Sequence, residues 1–414
     1  MVSTLLVVGL AVAAFVGFNI GGSSTGVAFG PAVGSRLVGK ATAAALFTIF
    51  AFLGAWTVGR NVIDTMSNGI VPAAQFSPTA SVAILFFTGL SLLVSNIYGV
   101  PASTSMTAVG AIVGLGLATD TLNEGLMFAI VSAWIVAPLT GFAAGAVIGR
   151  YVYPQLHARF AFTRLEDPLV QLDTADTLPK PRLNPAASTR DVAGSVLVLA
   201  IACYMGFSAG ASNAANAVAP LVGNGSIGID QGIVLAVAAI GLGGFTIARR
   251  TLATVGDEIT DLPILAALIV SVIGATIITV LSYLGIPASL AVSTTCCIIG
   301  LGWGRASRAL SLAEIATPDA GSDSESGITT GALAAPEDAP TGPTVGELAD
   351  DEVDTAPEPQ ADASPVPAIG EEELDELTAE RLFDPAATSR IVFLWLLTPS
   401  LSVVASYLLF VLLL

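Results

Sequence analysis

Charge is what this sequence has least of. Only 11% of its 414 residues are Asp, Glu, Lys or Arg, against about 25% in soluble domains. Histidine occurs once, at His157, and cysteine three times, at Cys203, Cys296 and Cys297, without C-x-x-C spacing. One imidazole in a polar stretch and no cysteine pair exclude a transition-metal centre of ordinary ligand count, so no metal site is expected. The three cysteines sit in apolar surroundings and read as small core residues. There is no nucleophile–base pair and no Gly-rich nucleotide loop, which argues against a membrane-embedded enzyme. No organic cofactor and no nucleic-acid partner are expected either.

Where charge is scarce, apolar residues fill the chain. They make up 54% of it, mean hydropathy is +0.80, and several runs approach the roughly 20 residues needed to cross a bilayer. This is the composition of an all-α polytopic membrane protein in the cell membrane. The net charge of −17 is a local feature: no basic residue lies between Arg308 and Arg381, yet more than half of the 32 acids do. That Pro- and Ala-rich acidic stretch cannot bury enough apolar surface to order itself and reads as a disordered loop.

A repeat underlies the rest. The segment GASNAANAVAPLVG, Gly210 to Gly223, has a weaker copy in GGSSTGVAFGPAVG, Gly21 to Gly34, at a constant offset of 189. The register continues through Gly54, Thr57, Arg60, Thr65 and Ile70, which fall on Gly243, Thr246, Arg249, Thr254 and Ile259. A duplication is the simplest source of one gap-free offset. A second polar segment follows in each half: Ser103, Thr104 and Ser105 match Ser293, Thr294 and Thr295 at offset 190, a register that Pro287 does not keep. Each half ends with Trp, three residues and Pro, at Trp134 to Pro138 and Trp395 to Pro399.

The expected layout is membrane repeat 1 over 1–150, a cytoplasmic loop over 151–190, repeat 2 over 191–304, the acidic loop over 305–388 and a last span over 389–414. Five crossings per half place fourteen basic residues on one face and only Arg60 on the other. By the positive-inside rule that face is cytoplasmic, both long loops lie there, and the termini are outside. An odd count also inverts one half relative to the other. The fold expected is therefore two inverted-topology repeats with broken or re-entrant helices, about ten to twelve membrane segments in all. The breaks are expected at the glycine-rich cores and at the hydroxyl segments, where non-helical backbone must line protein or water.

Half-helix N-termini in mid-bilayer attract anions through free N–H groups and the helix dipole. The candidate binding residues are Ser23, Ser24, Thr25, Ser103, Thr104 and Ser105 in one half. In the other they are Ser212, Asn213, Asn216, Ser293, Thr294 and Thr295.

These residues carry a resemblance. GGSSTGVA and GASNAANA, followed by PASTSMTAVG and VSTTCCIIG, resemble the signature of the inorganic phosphate transporter (PiT) family, GANDVANA twice with P-x-STTH-x-x-x-G after each. The element Thr254 to Leu262 matches TVG-x-x-I-x-x-L. The resemblance implies a symporter importing inorganic phosphate with sodium or protons. The departures are all toward neutrality. The family's Asn and Asp fall on Ser23 and Ser24, and on Ser212 and Asn213; its second Asn falls on Val27 and Asn216. Its His falls on Met106 and Cys296, and a Glu on Ala51 and Ile240. On these family grounds phosphate is favoured over sulfate; sulfate or another oxyanion, carried by a permease or facilitator without sodium coupling, is the alternative, and a homodimer stays open. A receptor or scaffold signalling through the acidic loop is the reading from another class.

Overall fold

The computed structural model describes residues 4–35, 37–97, 103–159, 170–173, 180–183, 189–246, 264–316 and 385–413. The chain divides into two compact units, Met1–Arg308 with Leu377–Leu414, and Ala309–Glu376. Most of the expected disordered acidic loop lies outside the described residues.

The first half contains α1 (Thr4–Gly34), α2 (Lys40–Thr57), the short α3 (Gly59–Asp64), α4 (Pro78–Ile97), α5 (Thr104–Ala118) and α6 (Glu124–Val147). A π turn, Ile148–Val152, leads into α7 (Tyr153–Arg159). The second half contains α8 (Thr189–Gly223), α9 (Ile229–Thr246), α10 (Ile264–Tyr283), α11 (Leu290–Ala316) and α12 (Pro385–Leu413). Among the described residues six helices are long and apolar enough to cross a membrane, and Pro78–Val94, Thr104–Ala118 and Leu397–Leu412 are shorter apolar stretches. The all-α expectation has one exception in the loop between the halves. Val170–Asp173 pairs antiparallel with Lys180–Leu183, Val170 opposite Leu183.

The glycine-rich cores are not broken. GGSSTGVA lies inside the 31-residue α1 and GASNAANA inside the 35-residue α8. In an apolar medium a helix is the cheapest way to satisfy backbone groups, whatever its glycine content. The hydroxyls that suggested a break bond back along their own helix instead. Ser23 donates to the Ile20 carbonyl at 3.1 Å, Thr25 to Gly21 at 2.8 Å and Ser212 to Ala209 at 3.4 Å.

What the small residues do is let helices touch. A Cβ on Gly21 would collide with the Ile240 carbonyl, and one on Gly210, 189 residues later, with the Ala51 carbonyl, 189 before Ile240. Gly54 against Phe207 and Gly243 against Phe18 form a second pair related by the same offset. Each half's first helix therefore packs on the other half's second. The later helices exchange likewise: Gly110 and Gly114 of α5 meet Pro399 and Val403 of α12, while Gly300 and Gly304 of α11 meet Phe142 and Ala146 of α6. Without a hydrophobic drive between helices in lipid, such close backbone contact is what holds them. The equivalent helices α1 and α8 run in opposite directions, since Gly9 lies beside Leu221 and Phe29 beside Gly206.

Among the described residues the interruptions lie just before α5 and α11, and the second hydroxyl segment, Ser293 to Thr295, is inside α11 instead of at a break. Helix α5 starts at Thr104 and covers about 22 Å at 1.5 Å per residue, short of the roughly 30 Å hydrocarbon core. Helix α10 stops at Tyr283, Gly285 turns with φ +73°, and α11 starts at Leu290. Only glycine adopts that φ without strain, and here a Cβ would also press on Thr65 Oγ1 at 2.8 Å.

Candidate functional site

Ser103 is the N-cap of α5; its Oγ accepts from Met106 N at 3.4 Å. Ser289 plays the same part for α11, accepting from Val292 N at 3.4 Å. Aligning the two caps matches Pro101-Ala102-Ser103 with Pro287-Ala288-Ser289 at offset 186. The offset of 190 aligned the Ser/Thr runs instead, which puts Ser293, Thr294 and Thr295 one turn beyond the cap of α11. Ser289 was missed for that reason, and the repeated Pro-Ala-Ser was the signal that would have found it.

The two caps lie at one junction. Ser105 Oγ donates to the Ala288 carbonyl at 3.1 Å, directly joining the N-terminus of α5 to the connection that opens α11. Trp134 of α6 holds the same connection, its Nε1 donating to the Pro287 carbonyl at 2.7 Å. Asn61 Nδ2 donates to the Tyr283 carbonyl at 2.7 Å and fixes the end of α10.

Beside this junction lies a buried polar cluster contributed by α8. Thr104 Oγ1 donates to Asn213 Oδ1 at 2.6 Å. Asn216 Nδ2 donates to Thr104 Oγ1 at 3.3 Å, Ser105 Oγ at 3.2 Å and Asn213 Oδ1 at 3.2 Å. All four side chains are buried, Ser105 and Asn216 at 0% and 1% exposure. The hydroxyl hydrogens of Thr104 and Ser105 are thus used inside the cluster. The donors left for a ligand are the N–H groups of Thr104 and Ser105 in α5 and of Leu290 and Ala291 in α11, ahead of the capped Met106 and Val292, and Asn213 Nδ2, which no described acceptor takes. Asn216 Oδ1 is buried with no partner among the described residues. Two helix N-termini, each equivalent to about half a positive charge, begin at this junction, and no ionised side chain among the described residues is bonded into the cluster.

Of the twelve candidate residues, Ser103, Thr104, Ser105, Asn213 and Asn216 come together at this junction. Ser212, next to Asn213 on α8, is buried but donates to the Ala209 carbonyl of its own helix. Ser23, Ser24 and Thr25 do not join them: Thr25 faces Gly244 of α9, and Ser23 and Ser24 are half-buried. Thr294 packs its methyl on Gly274 of α10, the Ser293 carbonyl lies against Gly141 of α6, and Thr295 is half-buried. The cluster has no polar copy in the other half. Asn213 and Asn216 correspond to Ser24 and Val27, and in the cap register Thr104 and Ser105 correspond to Leu290 and Ala291. Val27 is 38% exposed. The duplication has kept one polar junction and let the other lapse.

Among the described residues no three His, Cys, Asp or Glu side chains come together to hold a metal. Cys203 and Cys297 are buried and Cys296 half-buried, all as free thiols.

Residues 20–317 match the family described as the phosphate transporter family. A sulfate permease of Bacillus subtilis is 32% identical over 70% of this chain and 74% of its own length. A protein of Pyrococcus abyssi that carries the name "Putative phosphate permease" is 26% identical over 74% of this chain and 89% of its own length. Among solved structures, a sodium-dependent phosphate transporter superposes with a TM-score of 0.60 at 21% identity, covering 76% of this chain and 93% of that one. At that identity the likeness is one of fold.

Proposed function

The chain belongs to the phosphate transporter family, and from that premise we propose that it imports a tetrahedral oxyanion across the cell membrane, with sulfate as the preferred substrate. The observation that carries this is the junction of the start of α5 with the connection that opens α11, where the described residues offer a ligand N–H donors and no carboxylate. Sulfate needs only donors. Phosphate near neutral pH carries protons of its own, and a buried site must accept them, for which an ionised carboxylate is the best partner. The positions that carry the family's aspartate are Ser24 and Asn213 here. The likeness to a sulfate permease supports the same choice. Phosphate is the second reading, favoured by the family description and by relatives named as phosphate permeases.

The driving force argues for symport. Moving one charge through 100 mV costs about 2.3 kcal/mol, so a dianion entering an inside-negative cell meets about 4.6 kcal/mol, or roughly 2,000-fold exclusion. Two accompanying monovalent cations cancel that term. The oxygens of Thr104, Ser105, Asn213 and Asn216 with the Ala288 carbonyl are neutral ligands of the kind a sodium ion takes in interrupted helices. Asn216 Nδ2 now sits among three of them, and rotation of its amide would turn the unpartnered Oδ1 inward. In this reading the halves are inverted repeats that rock about the junction, and the Arg150 end is cytoplasmic.

Uptake of radiolabelled sulfate and phosphate into proteoliposomes, with and without a sodium gradient and at set membrane potentials, tests each part. Sulfate uptake is expected to exceed phosphate uptake and to rise with an inward sodium gradient. Phosphate preference would move the assignment to the second reading. Uptake indifferent to sodium and proton gradients would remove symport.

A further inference from the structure

We propose that the seam between α8 and α10 is a hydrated passage through which a monovalent cation reaches the polar cluster on α8. The hydration stands by itself; the choice of a cation rests on the symport reading. Two hydrogen bonds locate the seam. Ser208 Oγ of α8 donates to the Ala275 carbonyl of α10 at 3.0 Å, and Tyr204 Oη donates to Thr276 Oγ1 at 3.2 Å. From there both helices run toward α3, whose Gly59 lies against the Ala211 carbonyl and whose Asn61 donates to the Tyr283 carbonyl. They are therefore parallel.

In an α-helix, positions four and seven beyond a contact stay within about 40° of it. Thr279 and Ser282 thus share the face of Ala275, and Ser212 shares that of Ser208. Tyr204, Ser208, Ser212 and Asn216 follow one another at every fourth position of α8, and Asn216 belongs to the polar cluster.

Two of the hydroxyls in this seam have nothing to bond. A Ser or Thr in a membrane helix ordinarily donates to a carbonyl one turn back, as Thr276 does to Val272 at 2.7 Å. Thr279 Oγ1 and Ser282 Oγ are buried with no partner among the described residues, and Ser282 is 0% exposed. For Thr279 the carbonyl one turn back is that of Ala275, which already accepts from Ser208. A buried hydroxyl without a partner is costly, and several polar groups along one seam are what holds water in a protein interior. At the matching positions of the first half, Phe15, Leu90 and Leu93 stand for Tyr204, Thr276 and Thr279, and Gly89, matching Ala275, lies against Phe15. The unpartnered groups thus belong to the half whose first helix carries the cluster. From Tyr204 to Ser212 the lining side chains are hydroxyls with no N–H donor, which suits a small cation with its water better than an anion.

Cysteine labelling of the full-length protein in proteoliposomes tests the passage. T279C and S282C, in a C203A/C296A/C297A background, are treated with methanethiosulfonate ethylammonium or with the anionic ethylsulfonate reagent, and modification is followed by intact mass. L93C in the first half's seam and V280C on the outer face of α10 are the controls. A thiol among apolar groups rarely ionises, so T279C and S282C should react with the ammonium reagent roughly tenfold or more faster than either control. The sulfonate should react more slowly. Rates no faster than at L93C would overturn the hydration, and equal rates for the two reagents would overturn the cation. Fast labelling in a protein whose uptake ignores sodium would remove the cation and keep the water. Should the cysteine-free background fail to fold, T279V/S282A in the natural chain decides the matter. Deleting hydroxyls that bond nothing raises Tm in a dry seam; a lower Tm with slower sulfate uptake is expected, and a higher Tm with unchanged uptake would overturn the proposal.

Discussion

Replacing Asn216 by valine, the residue at the matching position of α1, tests whether the polar junction carries transport. The substitution removes the Nδ2 group that reaches Thr104 Oγ1 and Ser105 Oγ of α5 at 3.3 and 3.2 Å. Those two bonds tie α8 to the start of α5. Interhelical hydrogen bonds in membranes are each worth about 0.6 kcal/mol on average and at most about 1.7, so their loss costs roughly 1 to 3 kcal/mol. If the first-turn N–H groups of α5 bind the anion, a misplaced N-terminus lowers kcat/KM by the same free energy. A central value of about 2 kcal/mol is roughly 25-fold. The assay is the initial rate of sulfate uptake into proteoliposomes over a range of concentrations, with Tm measured in parallel to confirm folding. The contrast is Ser24→Ala, at the position matching Asn213 in the lapsed half, which should leave uptake within twofold of wild type. The reasoning is refuted if N216V transports like wild type, or if S24A loses as much.

Trp134→Phe removes the 2.7 Å bond to the Pro287 carbonyl while keeping an aromatic ring; at about 1 kcal/mol for the bond, a rise in KM of roughly fivefold is expected, with expression unchanged. Gly210→Leu drives a side chain into the Ala51 carbonyl and should lower Tm sharply or abolish a monodisperse gel-filtration peak, because overpacking costs about 1–3 kcal/mol or more. Gly39→Ala, with nothing within 4 Å of the added methyl, should leave the elution profile as it is. Breaking the exposed ion pair by Arg60→Gln should cost no more than about 1 kcal/mol and shift Tm by only a few degrees.

The offset of 189 was legible because glycines at helix contacts tolerate no replacement: Gly21, Gly54, Gly210 and Gly243 each abut a backbone atom of another helix. The same glycines misled the placement of the breaks. Glycine reads equally as a breaker and as a contact residue, and only the neighbouring helix decides between them. Asn213 and Asn216 announced themselves as amides in an apolar run. Their partners Thr104 and Ser105 lie more than a hundred residues earlier, a pairing that helix periodicity cannot reveal. Hydroxyl-rich sequence in α1 and α11 looked equivalent to that in α5, yet Ser23, Thr25 and Thr294 spend their hydrogens on carbonyls of their own helix. Local composition does not distinguish a hydroxyl that caps a helix from one that folds back on it.

The grip of α5 on α12 has a consequence for biogenesis. Gly110 and Gly114 rest on Pro399 and Val403, and Ser402 and Ser406 donate to the carbonyls of Thr107 and Ala111 at 3.0 and 2.6 Å. The groove that seats α12 emerges from the ribosome nearly three hundred residues ahead of the helix that fills it. Until then the short half-helix must wait in the bilayer with its flank bare, so a nascent chain arrested before Pro385 would be inserted yet unfinished.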